Sequence, residues 1–316
     1  MDFSRYENLR TLVRANFSEQ TRALVDEALV YADGKLTGLR RYDGTPLLDH
    51  AVAVAMVVIS EVGLGRNSTV SAILHDVVRL AHKQLPAEEF LALTADIRDR
   101  FGEQVVGLTM GLANISELKL KVAKEQADNF RDLLVSYSED PRVILIKLAD
   151  RLEVMRSLEM FPREKWRKKS WESMNLYAQI AHKLGLYSLK SELEDIALKY
   201  LEPKDYEHIV TKLEESAEER RAFIARFLVP IEERLGIKYH IKSRTKSIFS
   251  IWTKMHKQNV PFEGVYDIFA IRIIIDCDKE QEKQQCWTAY SIVTDFYTPN
   301  PNRMRDWISI PKSNGY

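Results

Sequence analysis

Two histidines and two aspartates in the first half of the chain are of the residue types that hold a divalent metal ion. His75 and Asp76 are adjacent within an apolar helical stretch, and His50 follows a turn at residues 43–46. Asp150 falls on an otherwise apolar helix face, where a carboxylate is costly to bury unless it is paired or binds a metal. Such donors suit Mn²⁺, Fe or Zn²⁺. Because these residues lie far apart in the chain, an ordinary core histidine is the alternative interpretation.

A row of cations that includes one hydroxyl group lies in the last third of the chain. Lys246, Ser250 and Lys254 are spaced i, i+4 and i+8, so they are predicted to line one stripe of a helix. Arg244 is placed at the start of the same helix, where free backbone N–H groups favour anions. This set could hold a polyphosphate along the helix, and a solvated basic face is the alternative.

A carboxylate and a second basic cluster follow further along the chain. Asp267 opens an apolar run at the edge of a predicted sheet, where it could bind Mg²⁺ or simply be a turn residue. Arg303, Arg305 and Lys312 surround the next apolar segment. Tyr316 could stack on a base or only pack against the protein. Taken singly, each of these signals is weak.

The elements that position the first group of residues are predicted to be helices. Apolar residues recur at spacings of three and four from about residue 18 to 230, with few turn signals between them. Asp140-Pro141 predicts a helix start, since it places an N-cap residue before a proline at the first helical position. The first part of the chain is therefore predicted to be all-α.

After Gly236 the hydrophobic pattern changes to one that mixes strands and helices. The predicted elements are a strand at 237–241, a helix at 245–257, a buried strand at 267–276, a helix at 286–296 and a strand at 307–310. These elements predict an α+β domain. Because the chain ends just after the last predicted strand, we expect this domain to be incomplete and the chain to be a fragment of a longer protein.

The composition excludes several classes of protein. The 316 residues include 46 Lys+Arg and 46 Asp+Glu, and this neutral balance argues against a surface built to coat nucleic acid or an anionic membrane. The length suggests about two domains. Cys277 and Cys286 are too few for a disulfide framework or a four-thiolate zinc site. A charged N-terminus and the lack of a long apolar run predict a cytoplasmic protein that binds neither membranes nor nucleic acid directly.

Several segments of the first part resemble the HD hydrolase domain of long RelA/SpoT homologues, enzymes of the alarmone (p)ppGpp. The matching segments are RYDGTPLLDH at 41–50, HDVV at 75–78, IKLADRL at 146–152, YAQIAHKLG at 177–185 and ELED at 192–195. In the family this domain removes the 3′-pyrophosphate from (p)ppGpp with Mn²⁺. The resemblance implies that His50, His75, Asp76 and Asp150 are metal ligands and that Arg41 contacts the guanine.

The chain departs from this family at the catalytic positions. The hydrolases carry Glu-Asp where this chain has Arg79 and Leu80, and His-Asn where it has Glu153 and Val154. A cation about 6 Å from a divalent metal, at an effective dielectric constant near 20, is repelled by roughly 5 kcal/mol. An arginine also stays protonated and cannot act as a general base.

These departures predict a folded but hydrolytically inactive domain with weakened metal binding. We also expect Arg79 and Glu153 to form an ion pair across the former active site, with their charged groups within about 4 Å of each other.

The last part of the chain resembles the synthetase domain of the same family, which has a nucleotidyltransferase-like fold. The matching segments are RTKSIFSIWTKM at 244–255, YDIFAIR at 266–272 and RDWISIPKSNGY at 305–316. The resemblance implies transfer of pyrophosphate from ATP to the 3′-hydroxyl of GDP or GTP. The family supplies a second metal-binding acid beyond these segments, so we expect this chain alone to lack synthetase turnover.

The resemblance also implies a role for each matching residue of the synthetase site. Arg244 would stack on adenine, and Lys246, Ser250 and Lys254 would hold the ATP phosphates. Asp267 would bind Mg²⁺. Arg305 and Lys312 would line the nucleotide sites and, with Asp267, be the catalytic residues. Asn314 and Tyr316 would also bind nucleotide, with the tyrosine stacking on guanine.

The sequence therefore predicts an all-α HD-type domain followed by an α+β nucleotidyltransferase-like domain. The predicted boundaries are 1–196 for the hydrolase-like domain, 197–235 for connecting helices and 236–316 for part of the synthetase domain. The predicted function is that of a GTP pyrophosphokinase with an inactive hydrolase domain. The alternatives are a bifunctional enzyme whose hydrolase recruits another base such as Glu153, and a guanine-nucleotide sensor without catalysis. In the family, a C-terminal region absent here can contact the ribosome.

Overall fold

The computed structural model describes residues 3–117 and 140–312, and the chain divides into an N-terminal unit, 1–203, and a C-terminal unit, 204–316. The long elements of the N-terminal unit are helices. They are α1 Glu7–Asn16, α2 Glu19–Lys35, α3 Leu47–Val57, α4 Arg66–Gln84, α5 Ala87–Phe101, α6 Glu103–Glu117, α7 Pro141–Arg156, α8 Arg163–Glu172, α9 Ala178–Lys183 and α10 Tyr187–Leu201. No helix in the described ranges combines the length and apolar content that crossing a bilayer requires.

The core of the N-terminal unit is formed where α3, α4, α6 and α7 pack together. Leu48, Ile73, Leu74, Leu108 and Leu148 are almost completely buried there. Burial of side chains of this size stabilises a fold by about 1.5–3 kcal/mol each, before the entropy of ordering the chain is subtracted. This apolar packing fixes helices α3, α4 and α7, which carry the metal-type donors.

Helix α7 starts where the sequence predicts it. Asp140 has extended backbone geometry, and its carboxylate accepts a hydrogen bond from the backbone N–H of Arg142 at 2.9 Å. Pro141 occupies the first helical position, where a missing N–H costs nothing. The predicted N-terminus of this helix is therefore confirmed.

A tight turn precedes α3 and sets the position of Arg41. Gly44 has φ +84°, a left-handed conformation that disfavours other residues. The side chain of Asp43 accepts a hydrogen bond from the backbone N–H of Thr45, and the backbone N–H of Arg41 donates to the Thr45 carbonyl at 2.8 Å. The turn thus places Arg41 just before the helix that carries His50.

The C-terminal unit combines a two-stranded sheet with helices, as the α+β prediction requires. Its elements are α11 Pro203–Glu215, α12 Ala217–Glu232, β1 Tyr239–Thr245, α13 Ile248–Gln258, β2 Phe269–Ile275 and α14 Glu282–Phe296. The strands are antiparallel, with Tyr239 opposite Ile275 and Thr245 opposite Phe269. A small core forms where Ile251 of α13 meets Ile209 and Phe262.

Two details of the predicted C-terminal elements are wrong. Strand β1 continues to Thr245, because its backbone stays paired with β2, so Arg244 lies in a strand and not at a helix start. Helix α13 begins at Ile248, where the Ser247 side chain caps it by accepting from the backbone N–H of Ser250. Lys246 therefore precedes the helix and does not lie on the helical stripe predicted for it.

The strand predicted at 307–310 is also wrong. That segment forms a turn, because the carboxylate of Asp306 accepts hydrogen bonds from the backbone N–H groups of Ile308 and Ser309 at 2.9 and 2.8 Å. An aspartate that bonds to amides two and three residues ahead competes with strand pairing. Asn314 and Tyr316 lie outside the described residues.

Candidate functional site

The N-terminal unit brings four predicted metal ligands from three helices to one place. His50 is supplied by α3, His75 and Asp76 by α4, and Asp150 by α7. Donor atoms of His50, His75 and Asp76 all lie within 4.8 Å of one another. An oxygen of Asp150 lies 3.1 Å from Nε2 of His50. We call these four residues the donor cluster.

The donor cluster fits a divalent cation. Ligands bound to one ion at about 2.1 Å lie at most about 4.2 Å apart, so the donors of His50, His75 and Asp76, which lie within 4.8 Å of one another, need to approach by no more than about 0.6 Å to share a cation. Asp76 is 1% exposed, and its Oδ2 is buried without a hydrogen-bond partner among the described residues. A buried carboxylate oxygen without a partner is unfavourable, so Oδ2 is an open position for a cation.

His75 is held in the form that binds a metal. Its Nδ1 lies 2.6 Å from the backbone carbonyl oxygen of Ala72, so Nδ1 carries the proton and donates. The lone pair is then on Nε2, which lies 3.5 Å from the carboxylate of Asp76. A metal-binding histidine usually has a hydrogen-bond acceptor at its other ring nitrogen.

Each aspartate of the donor cluster already has a cation one turn away on its own helix. Nε of Arg79 donates to Oδ1 of Asp76 at 2.7 Å, and Nζ of Lys147 lies 2.6 Å from Oδ2 of Asp150. Burial opposes ionisation of both carboxyls, but the neighbouring positive charges outweigh it. They hold the pKa of Asp76 below its usual value and the pKa of Asp150 well below it.

The pKa of His50 is strongly perturbed by the two carboxylates that contact it. Burial lowers the pKa of its imidazole, but hydrogen bonds to Asp150 and Glu153 overcome this effect and raise the pKa to about 10. Without a metal the ring therefore carries a positive charge at neutral pH. A cation must displace that proton to bind His50, as it must for any protonated ligand.

The predicted ion pair between Arg79 and Glu153 is wrong. Arg79 bonds to Asp76, its neighbour one turn back on α4. Glu153 instead accepts a hydrogen bond from Nη2 of Arg41 at 2.7 Å, and its other oxygen contacts Nδ1 of His50. Arg79 pairs with Asp76 and Glu153 pairs with Arg41, so the two residues do not pair with each other across the site.

A cavity of about 670 Å³ opens next to the donor cluster. Helix α7 lines it with positions spaced i, i+3, i+4 and i+7, which share one helix face. These positions are Lys147, Asp150, Arg151 and Val154. The basic residues of the lining are Arg40, Arg41, Arg79, Lys147, Arg151, Lys168 and Lys169.

The cavity therefore presents many positive charges beside a place for a metal. Nη1 of Arg151 is buried without a hydrogen-bond partner among the described residues, and Nη2 lies 3.1 Å from Glu172. Burial, followed by the charge of Arg151, lowers the pKa of Lys169 to about 8. Crowded cations of this kind favour a polyanion.

Leu80 and Val154, at which the sequence predicts a departure from the hydrolases, lie in two different environments. Val154 lines the cavity and offers it no polar group. Leu80 is partly buried and packs against the hydrophobic core. Sequence reasoning missed the basic lining from Lys147, Arg151 and Lys169. The signal available for two of them was their spacing of three and one residues from Asp150 on a helix.

In the C-terminal unit, Asp267 joins two of the predicted phosphate-binding lysines. Its Oδ2 lies 2.7 Å from Nζ of Lys246 and also contacts Nζ of Lys254. Burial opposes ionisation of Asp267, but the hydrogen bonds from the two lysines outweigh it and lower the pKa to about 2. The Ser250 hydroxyl is hydrogen-bonded to Ser247 at 2.7 Å.

The remaining predicted nucleotide residues make local contacts. Arg305 donates to the backbone carbonyl of Met304 at 2.8 Å, and Nζ of Lys312 lies 4.5 Å from the ring centre of Trp307. Mg²⁺ is usually bound by one or two carboxylates together with substrate phosphates. Asp267 is compatible with such a site once phosphates are present.

A unit that is built of helices in its described ranges, and whose histidines and aspartates converge beside a basic cavity, is typical of the class of HD-type domains. Residues 28–187 match the HD domain family, and residues 243–316 match the region found in RelA/SpoT proteins. The chain belongs to the HD domain family and carries a RelA/SpoT region, as the sequence motifs predicted.

Three curated relatives are similar to most of the chain. The guanosine-3′,5′-bis(diphosphate) 3′-pyrophosphohydrolase of Aquifex aeolicus is 36% identical over 92% of this chain and 40% of its own length. The bifunctional (p)ppGpp synthase/hydrolase SpoT of Escherichia coli K12 is 33% identical over 98% and 43%, respectively. The GTP pyrophosphokinase rsh of Brucella melitensis is 33% identical over 93% and 38%. The chain thus spans about two fifths of the length of these relatives.

Replacement of Arg79 should tighten metal binding. Removing the guanidinium from Asp76 removes a nearby positive charge, so Arg79→Ala should increase the affinity for Mn²⁺ by at least about tenfold, measured by isothermal titration calorimetry. Arg79→Lys keeps the charge and should remain close to the unmodified chain. Equal affinities for the alanine variant and the unmodified chain would show that Arg79 does not oppose the metal.

Proposed function

We propose that this chain is part of a (p)ppGpp-metabolising enzyme whose N-terminal unit has lost hydrolysis and whose C-terminal unit belongs to the synthetase. One observation carries the first half of this proposal. Arg79 stands where the resemblance to the hydrolases implies an acid, and it bonds directly to Asp76 in the donor cluster.

The lining of the N-terminal cavity supports the proposal that this unit binds a guanine nucleotide carrying pyrophosphate groups. Its lining offers Arg151, Lys168 and Lys169 to the phosphates, and the donor cluster offers a place for Mn²⁺. A bound cation would supply positive charge to a phosphate oxygen. The chain's own residues do not supply a base for water at positions 79 and 80, since arginine stays protonated and leucine is apolar.

Glu153 is a poor replacement for the missing base. Both of its carboxylate oxygens are engaged, one by Arg41 and the other by His50. Its side chain is buried, and accepting a proton would weaken its ion pair with Arg41. The alternative of a bifunctional enzyme that uses this residue is therefore less well supported than an inactive hydrolase domain.

A hydrolysis assay tests the proposal for the N-terminal unit. The unmodified chain, incubated with ppGpp and Mn²⁺, should release no GDP or pyrophosphate that ion-exchange chromatography detects. The triple variant Arg79→Glu, Leu80→Asp, Val154→Asn restores the family's residues at three positions and should regain measurable turnover. Turnover by the unmodified chain would overturn the proposal and favour a bifunctional enzyme.

Binding of ppGpp to the cavity should weaken as the pH rises from 7 to 9. The pKa of Lys169 is lowered to about 8, so its ammonium loses charge across this range and its attraction for phosphate falls. We expect the affinity to fall by about threefold to tenfold, measured by calorimetry. Lys169→Gln should flatten this dependence, whereas Lys168→Gln, at an exposed neighbouring side chain, should retain it. A steep dependence that survives in Lys169→Gln would contradict the assignment.

In the C-terminal unit, we propose that Lys246 and Lys254 bind the phosphates of ATP and that Asp267 binds Mg²⁺. The convergence of both ammonium groups on Asp267 supports this role. Phosphates can take the place of the Asp267 carboxylate as partners of the two lysines, and Mg²⁺ can take the place of the lysines as the partner of Asp267. The arrangement supplies the positioning and charge neutralisation that transfer of a pyrophosphate to GDP or GTP requires.

Binding of ATP with Mg²⁺ tests this assignment. Lys246→Met and Lys254→Met should each weaken the binding of ATP to this chain by about tenfold, since a hydrogen bond to a charged group contributes about 1.5 kcal/mol or more. Lys257→Met, on the same helix as Lys254 and exposed, is the matched control and should leave the affinity unchanged. The affinity of each variant for ATP would be measured by calorimetry at a fixed concentration of Mg²⁺. Equal affinities for all three variants would refute the assignment.

A further inference from the structure

Glu153 lies between Arg41, in the turn before α3, and His50 of the donor cluster. It is 6% exposed, and it is one of few acids buried in the described part of the N-terminal unit. One carboxylate oxygen accepts from Nη2 of Arg41 at 2.7 Å, and the other contacts Nδ1 of His50. Arg41 also donates to the hydroxyl of Ser157 at 2.9 Å, so it is fixed from two sides.

This contact decides which nitrogen of His50 faces the other donors. A carboxylate at Nδ1 accepts a hydrogen bond from the N–H of that nitrogen, so the lone pair that can bind a metal is on Nε2. Nε2 of His50 lies 3.1 Å from Asp150, on the side of the donor cluster. His75 has the same arrangement, with its Nδ1 donating to the carbonyl of Ala72.

A carboxylate can do at this position what the family's histidine cannot. A neutral imidazole offers one acceptor nitrogen, whereas the two oxygens of Glu153 bond to His50 and Arg41 at the same time. The ion pair with Arg41 fixes Glu153 in place. Position 153 is therefore an altered support for the donor cluster, and not only a lost catalytic residue.

We propose that Glu153 is the positioning residue of the metal site, which aims Nε2 of His50 at the cation and is itself held by Arg41. This inference rests on the proposed cation site of the N-terminal unit. It predicts that the substitutions at positions 79 and 153 act in opposite directions, because Arg79 opposes the metal and Glu153 supports it.

The test is the affinity for Mn²⁺, measured by calorimetry on the unmodified chain and on two variants. Loss of a residue that orients a metal ligand typically lowers affinity 10- to 100-fold, and we expect this loss for Glu153→Ala. Glu153→Gln retains an acceptor for His50 and should remain within about threefold of the unmodified chain. Glu159→Ala is the matched control, since its carboxylate is exposed and bonds to Lys199.

The outcomes separate this inference from the proposed function. An unmodified chain that does not bind Mn²⁺ would refute the cation site itself. Binding by the unmodified chain with equal affinity in Glu153→Ala would refute the positioning role alone. Glu153→Gln as weak as Glu153→Ala would also overturn it, since charge and not orientation would then be responsible.

A second measurement reports on orientation directly and does not depend on affinity. In the Zn²⁺-loaded chain with ¹⁵N-labelled histidine, long-range ¹H–¹⁵N spectra should show His50 protonated at Nδ1 and metal-bound at Nε2. The same signature is expected in Glu153→Gln. A spectrum of the unmodified chain with Nδ1 unprotonated would overturn the role assigned to Glu153, even if Glu153→Ala failed to fold.

Discussion

The architecture of the N-terminal unit depends on the neutralisation of two carboxylates inside a helical core. Asp76 and Asp150 could not remain ionised there alone, because a buried unpaired charge is strongly unfavourable. Arg79 and Lys147 solve this problem from one turn away on the same helices, and His50 bridges between α3 and α7. The rest of the cavity, including its basic lining, is arranged around this balanced centre.

Much of the fold follows from local sequence rules. The helix start at Asp140-Pro141 is fixed by capping chemistry. The two strands of the C-terminal sheet follow from apolar and β-branched patterns. The failures have local causes as well. The carboxylate of Asp306 captures backbone amides that a strand would need, and pairing with β2 extends β1 past Arg244. Neither competition is visible from hydrophobic periodicity alone.

The candidate site was predictable in its residues but not in its pairings. Helical spacing places Arg79 beside Asp76, and the structure has that contact. The partner of Glu153 could not be found in this way, because Arg41 and His50 precede it by about a hundred residues. Their meeting depends on how α3 packs against α7, which a single sequence does not specify. A charged side chain pairs with an opposite charge that lies nearby, and for residues far apart in the chain only the tertiary structure determines which charges lie nearby.

Helix α7 carries residues that belong to three parts of the site. Asp150 belongs to the donor cluster, Arg151 to the basic lining and Glu153 to the contacts of His50 and Arg41, all within about one turn. A helix moves as a rigid body, so any rotation of α7 would displace all three groups together. Adjustment by backbone movement would therefore disturb every part of the site at once. The roles of these three residues can therefore be altered separately by exchanging their side chains, but not by moving the helix.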